Sequence, residues 1–214
     1  GAAVEALLTR LVALDVRILG LSAVLGNAEQ LAAWLHARLL EYGRRPVELR
    51  YGVLHEGAFR YRGHNDLDEG EEPLEASHGD TPWEEVMTNV RRLAESGESC
   101  LVFVKARREA WRGAELLARR LSLPAATAAM EALRDCDQTR SRDLLLHTLE
   151  TGAAFHSADL LPEERRIVEE AFRDGEVKVL VATSTLATGM NLPARNVFMS
   201  ADKWIYDPCL DLPW

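Results

Sequence analysis

The residues best suited to chemistry lie in one short run. Val179 to Ala182 is apolar, and Thr183, Ser184 and Thr185 follow at once. Gly189, Asn191 and Pro193 come next. Hydroxyls and free backbone N–H groups in a turn after a strand can donate to phosphate oxygens. Gly189 permits a positive φ or the close approach of another backbone. Asn191 can cap, turn or bond a sugar hydroxyl, and Pro193 biases Leu192 to extended geometry. The same Thr and Ser residues would serve equally to cap a following helix. Among the six histidines, His156 alone ends a predicted strand; an isolated histidine is otherwise an ordinary polar contact.

Other chemistries leave no trace. The 214 residues hold no Gly-x-x-x-x-Gly-Lys-Ser/Thr loop to cradle phosphates, no His-Glu-x-x-His and no Gly-x-Ser-x-Gly. Three cysteines, Cys100, Cys136 and Cys209, stand far apart with no metal-binding spacing. Their odd number points to a reducing, cytoplasmic setting and to no bound metal.

The elements that would position the hydroxyl run read as an alternation. Thr81 is an N-cap with Pro82 at the first helical position and Glu84 three residues after the cap, and Gly97 ends that helix. Cys100–Val104 is a continuous apolar strand of the kind buried on both faces of a parallel sheet. The next helix buries Trp111, Ala114, Leu117, Ala118 and Leu121. A helical stretch covers Ala125 to Thr151, and Ala153–His156 is a short strand. Pro162 starts a helix with Glu163 and Glu164 in its first turn, at the positive end of the dipole. Ile167, Val168, Ala171 and Phe172 form its buried face, and Asp174-Gly175 stops it. Lys178–Ala182 and Asn196–Met199 are further strands. Such an alternation folds as an open parallel α/β sheet with flanking helices, whose ligands sit at the carboxyl ends of the strands.

The first eighty residues read differently. Leu7, Leu8, Leu11, Val12 and Leu14 share one helical face. Arg17–Ala23 reads as a short buried strand. Asn27 is a candidate N-cap for a helix carrying Leu31, Trp34 and Leu35. Residues 47–63 alternate around a turn at His55–Gly57 and read as a hairpin. Asn65 to Gly79, with five acids in the seven residues Asp66–Glu72, reads as a mobile loop or linker.

Hydrophobic residues make up 47% of the chain, enough for a packed core, and the net charge is −9. That charge excludes a grip on nucleic acid by overall attraction, but not a local site of a few N–H groups, hydroxyls and arginines. No apolar run reaches the roughly 18–20 residues that span a bilayer. The chain starts within an amphipathic pattern and without Met, as a piece of a longer protein would.

Three blocks in order, Gly20–Leu35, Leu101–Leu121 and Phe155–Ala194, resemble superfamily 2 helicases. The nearest branch is that of the DExH enzymes that include archaeal repair helicases and exosome-associated RNA helicases. The resemblance implies two RecA-like domains, ATP with Mg2+ between them, and a single-stranded or partly duplex nucleic acid, DNA or RNA, across both. Residues 1–48 would be the tail of the first RecA-like domain, 49–80 a hairpin and acidic linker, and 81–214 most of the second domain. The rest of the first domain would then be this chain's partner, with no membrane involved. Ser22, Ala23 and Val24 match the motif coupling hydrolysis to strand movement. Phe103–Arg107 matches the opening motif of the second domain. Arg107, His156, Thr183 and Thr185 match strand-binding positions, while Gly189 and Asn191 match the ATP-facing end of the same motif. Arg165, on the matching helix, would have a structural or backbone-contact role.

The chain departs from the family's pattern at Val24 and Ala106, which lack a usual hydroxyl, and at Asp159, a carboxylate where the family has Gly. These departures equally suit a degenerate RecA-like binding or regulatory module, or a motor acting on another polymer. Without a phosphate-cradling loop, an acidic metal motif or an arginine finger among its residues, the chain alone would be inactive as an ATPase.

Overall fold

A computed structural model describes residues 2–14, 16–22, 26–76, 82–183 and 192–199. The chain divides into two compact units, residues 1–51 with 63–68 and residues 52–62 with 69–214.

In the first unit, the predicted amphipathic helix is α1 (Ala2–Ala13). Its face is only half covered: Leu8, Leu11 and Val12 are half-buried, while Leu7 and Leu14 are exposed. Helix α2 (Ala28–Trp34) follows Asn27, whose side chain makes no capping hydrogen bond. The strand expected at Arg17–Ala23 does not form over its described residues 17–22. Leu19 and Leu21 stand 84% and 89% exposed. An apolar run becomes a strand only when a neighbouring strand takes its backbone N–H and C=O groups, and no such neighbour pairs with it among the described residues. Asn65 ties the later part of the unit together. It accepts from the Arg45 N–H at 2.7 Å and donates to the Arg45 carbonyl at 3.0 Å.

The hairpin forms as β1 (Arg50–His55) and β2 (Ala58–Gly63). Glu56 and Gly57 both take positive φ, 51° and 75°, as a two-residue hairpin turn with the twist of its strands requires. The acidic loop needs correction. Glu69–Pro73 is a third strand, β3, antiparallel to β2. Its carboxylates suit a strand because β2 supplies arginines opposite them. Arg60 lies in register with Glu71 and bonds it at 2.8 Å, and Arg62 lies opposite Glu69. Beyond β3, the backbone of Glu75 is clamped by Asn89, which is fully buried. The Glu75 N–H donates to Asn89 Oδ1 at 3.0 Å, and Asn89 Nδ2 donates to the Glu75 carbonyl at 2.8 Å.

Asn89 sits on α3 (Pro82–Glu95), which starts at the predicted proline. Thr81 lies outside the described residues, and Glu84 reaches Arg120 at 2.6 Å. Strands β4 (Cys100–Val104), β5 (Ala153–His156), β6 (Val179–Thr183) and β7 (Asn196–Met199) form one parallel sheet of order β5-β6-β4-β7. All five residues of β6 are buried. Successive strand side chains point to opposite faces, so both faces of the sheet are covered at β6, while β7 leaves Val197 and Met199 exposed.

Between β4 and β5 run α4 (Arg107–Ala118), α5 (Thr127–Arg134) and α6 (Arg140–Leu149). Trp111 is only half-buried, and Ala110 and Gly113 join the buried face of α4 instead. Helix α7 (Pro162–Asp174) buries the predicted Ile167, Val168, Ala171 and Phe172 and stops at Gly175 with φ 81°. It also buries Glu164 completely. That carboxylate accepts from the Thr139 hydroxyl at 2.5 Å, from Ser141 at 2.9 Å and from the Leu161 N–H at 2.8 Å. Thr139 is the N-cap of α6. One buried anion thus serves the N-termini of two helices, where partial positive charge accumulates.

Candidate nucleic-acid interface

Three strands of the sheet end almost level. Val104 pairs with Thr183, and His156 pairs with Ala182. The edge they share therefore carries Lys105–Arg107 after β4, Ser157–Asp159 after β5, and Thr183 at the tip of β6. This is the carboxyl-end edge where parallel α/β sheets bind ligands. Three predicted residues, Arg107, His156 and Thr183, belong to it. Thr183 is the last residue of β6 and is buried. Thr185, Gly189 and Asn191 lie outside the described residues, as do Ala23 and Val24. Ser22 is described and exposed, in the first unit.

Arg107 opens α4. Its Nη1 donates to Asp159 Oδ1 at 2.6 Å. Because β6 lies between β4 and β5, this pair reaches across the end of β6. Both side chains are well exposed, 61% and 58%. An ion pair in that setting contributes about 0–1 kcal/mol, so it is easily exchanged. The carboxylate at position 159 therefore neither caps the following turn nor faces empty solvent. The turn is held instead by Ser157, whose buried Oγ accepts the Asp159 N–H at 3.3 Å. Arg165 adds two donations to the Leu160 carbonyl, at 3.2 and 3.0 Å, and so braces the turn.

Ala106, at the N-cap of α4, offers no hydroxyl; its backbone N–H donates to Glu109 Oε2 at 3.2 Å. Lys105 and Arg108 flank it and are exposed. Sequence matching singled out Arg107 alone. The signal for its neighbours was available: three cations within four residues, at a strand end, in a chain of net charge −9.

His156 is 4% exposed. Its Nε2 lies 2.8 Å from Glu169 Oε1 on α7. A carboxylate only accepts, so Nε2 carries the proton. Nδ1 is buried without a partner. Burial lowers the histidine's pKa, and Glu169 opposes the shift without cancelling it. The ring is therefore neutral near pH 7 and presents Nδ1 as a buried acceptor. Cys100, by contrast, is inert: burial, with Glu98 nearby, pushes its thiol up to about 12. No group of three His, Cys, Asp or Glu side chains among the described residues could hold a metal ion. No helix among them is long and apolar enough to cross a membrane.

A parallel sheet with helices on it, and a basic run at the carboxyl end of β4, is consistent with a RecA-like domain of the helicase type. The profile of the helicase conserved C-terminal domain matches residues 83–211. The chain belongs to that family and to the superfamily 2 helicases. Among curated proteins it is similar to the ATP-dependent DNA helicase Hel308 of Pyrobaculum calidifontis, with 38% identity over 98% of this chain and 29% of that protein. Hel308 of Caldivirga maquilingensis is 37% identical over 89% of this chain and 25% of its own length. Hel308 of Pyrococcus abyssi is 36% identical over 96% and 27%. The chain thus spans less than a third of the length of these relatives.

Proposed function

We propose that this chain is the strand-gripping part of an ATP-driven helicase or translocase. The observation carrying this reading is the exposed basic run Lys105, Arg107 and Arg108 at the carboxyl end of β4, in a protein of net charge −9. Arg107 and Thr183, with Thr185 beside it, would contact phosphates of a single strand. His156, buried and with its Nε2 proton given to Glu169, would support the end of β5 and not touch a phosphate, since its Nδ1 has no hydrogen to donate. Contacts of this kind go to the backbone, so sequence preference would be low. The similar proteins are named DNA helicases, which favours DNA over RNA as the strand.

In the intact protein, residues 1–48 would close the first RecA-like domain, residues 49–80 would link, and residues 81–214 would form the second. Gly189 and Asn191 would face ATP and Mg2+ held mainly by the first domain, and Ser22, Ala23 and Val24 would couple hydrolysis to movement. When bound, the nucleotide supplies the free energy of phosphoryl transfer. The residues of this chain would orient the strand and sense the cleft closing.

Binding of a labelled single strand to the chain, followed by fluorescence anisotropy across salt concentrations, tests the reading. The expected result is salt-sensitive binding with no ATP hydrolysis by the chain alone. In the full protein, Thr185→Val should weaken strand binding and strand-stimulated hydrolysis together. Unchanged binding would remove that threonine from the site.

A second reading is favoured by the Arg107–Asp159 pair, which occupies a cation the strand would need. The chain would then be a RecA-like module without motor activity. Absence of strand-stimulated ATP hydrolysis in the full protein would select it.

A further inference from the structure

We propose that Asp159 is a built-in counter-ion for Arg107, which the incoming strand must displace, and that it thereby sets both the affinity and the salt dependence of strand binding. The inference rests on the strand-binding reading of this edge.

The geometry is specific. Asp159 follows β5 and Arg107 follows β4, and β6 separates the two strands. The 2.6 Å bond between them bridges the tip of β6, the place where a backbone phosphate would meet Thr183. Asp159 is fixed there from behind. Its own N–H is held by Ser157, and Arg165 locks the carbonyl of the next residue, Leu160. The carboxylate thus stands on a turn that does not depend on Arg107. Arg107 in turn stands at the start of a helix whose far end packs into the core through Leu117 and Ala118. Two rigid mounts present one exposed cation to one exposed anion. A phosphate oxygen has the same charge and accepts in the same way as the carboxylate oxygen it would replace.

The exchange has a measurable signature. Salt dependence of strand binding counts the phosphates neutralised by net protein charge, with a log–log slope of about −0.7 per phosphate on a single strand. Arg107 and Asp159 together carry no net charge. Moving Arg107 onto a phosphate leaves Asp159 bare beside it, so this contact adds almost nothing to the slope. Removing the carboxylate's charge frees Arg107 to count in full.

The test is anisotropy of a fluorescein-labelled oligothymidylate with the wild-type chain, Asp159→Asn, Arg107→Ala and the double variant, between about 50 and 200 mM salt. Circular dichroism confirms that each variant is folded, and Asp159→Ser is a second removal of the charge. The expected result is binding about 2- to 5-fold tighter at low salt for Asp159→Asn, as loss of an exposed ion pair allows. Its slope should be steeper by about 0.7. Both gains should vanish when Arg107 is Ala. Equal affinity and slope for wild type and Asp159→Asn would overturn the inference while leaving the strand-binding reading in place. So would a gain that persists without Arg107, which would show plain repulsion between Asp159 and the strand. No binding by any of the four chains, even at the lowest salt, would overturn the strand-binding reading and this inference with it.

Discussion

Arg17–Ala23 and Cys100–Val104 look alike on paper. Each is a short apolar run after a helix, and each reads as a buried strand. Cys100–Val104 pairs on both sides, with β6 and β7, and four of its five residues are buried. The described residues of Arg17–Ala23 pair with nothing in a sheet, and Leu19 and Leu21 are almost fully exposed. The difference lies outside both segments. Hydrophobic pattern states which groups would gain by burial, while the neighbours decide whether burial occurs. The same contrast holds between units: α4 and α7 bury a full stripe, whereas α1 leaves Leu7 exposed and α2 leaves Trp34 partly so.

Substitutions can break this contrast or sharpen it. The largest effect should come from Phe172→Ala or Leu180→Ala in the core of the parallel sheet, each losing about 3–5 kcal/mol of unfolding free energy in denaturant titration. Leu19→Ala and Leu21→Ala should stay within about 0.5 kcal/mol. A large loss at Leu21 would mean that its run is packed after all. Next comes Glu164→Ala, which strands the donors of Thr139, Ser141 and Leu161 and should cost about 2–3 kcal/mol.

A smaller effect belongs to His156. Its folded-state pKa lies below the ordinary value of 6.5, so the unfolded chain binds the proton more readily. Its contribution to stability is present above about pH 6.5 and is lost as the pH falls below that value. His156→Gln should flatten that part of the stability–pH curve, which urea midpoints between pH 5 and 8 would reveal. Another small effect is expected at Glu71→Ala, where an exposed pair with Arg60 is worth less than about 1 kcal/mol.

Much of the sheet was legible before any coordinates. Cys100–Val104, Ala153–His156 and Asn196–Met199 were delimited residue for residue, because continuous apolar runs between turn residues leave little choice. Pro162 and Gly175 fixed the ends of α7 in the same local way. What escaped depended on distant partners. Strand β3 is acidic and has poor strand propensity; it forms on the backbone ladder that β2 offers, with Arg60 and Arg62 in register with Glu71 and Glu69. The buried state of Glu164 depends on hydroxyls more than twenty residues away. The candidate site was half legible. Residue types located the edge, but the Arg107–Asp159 pair spans 52 positions and follows from the order β5-β6-β4, which chain order does not reveal.

That strand order also bears on how the chain is made. β4 takes its hydrogen bonds from β6 and β7, and Cys100 meets Val179 only after almost eighty further residues have been added. At about 5–20 residues per second, the ribosome needs roughly 4–16 s to supply them. For that interval Cys-Leu-Val-Phe-Val is a nascent apolar strand with neither edge satisfied, so the newborn chain is most exposed to aggregation, and most in need of a chaperone, before its sheet can close.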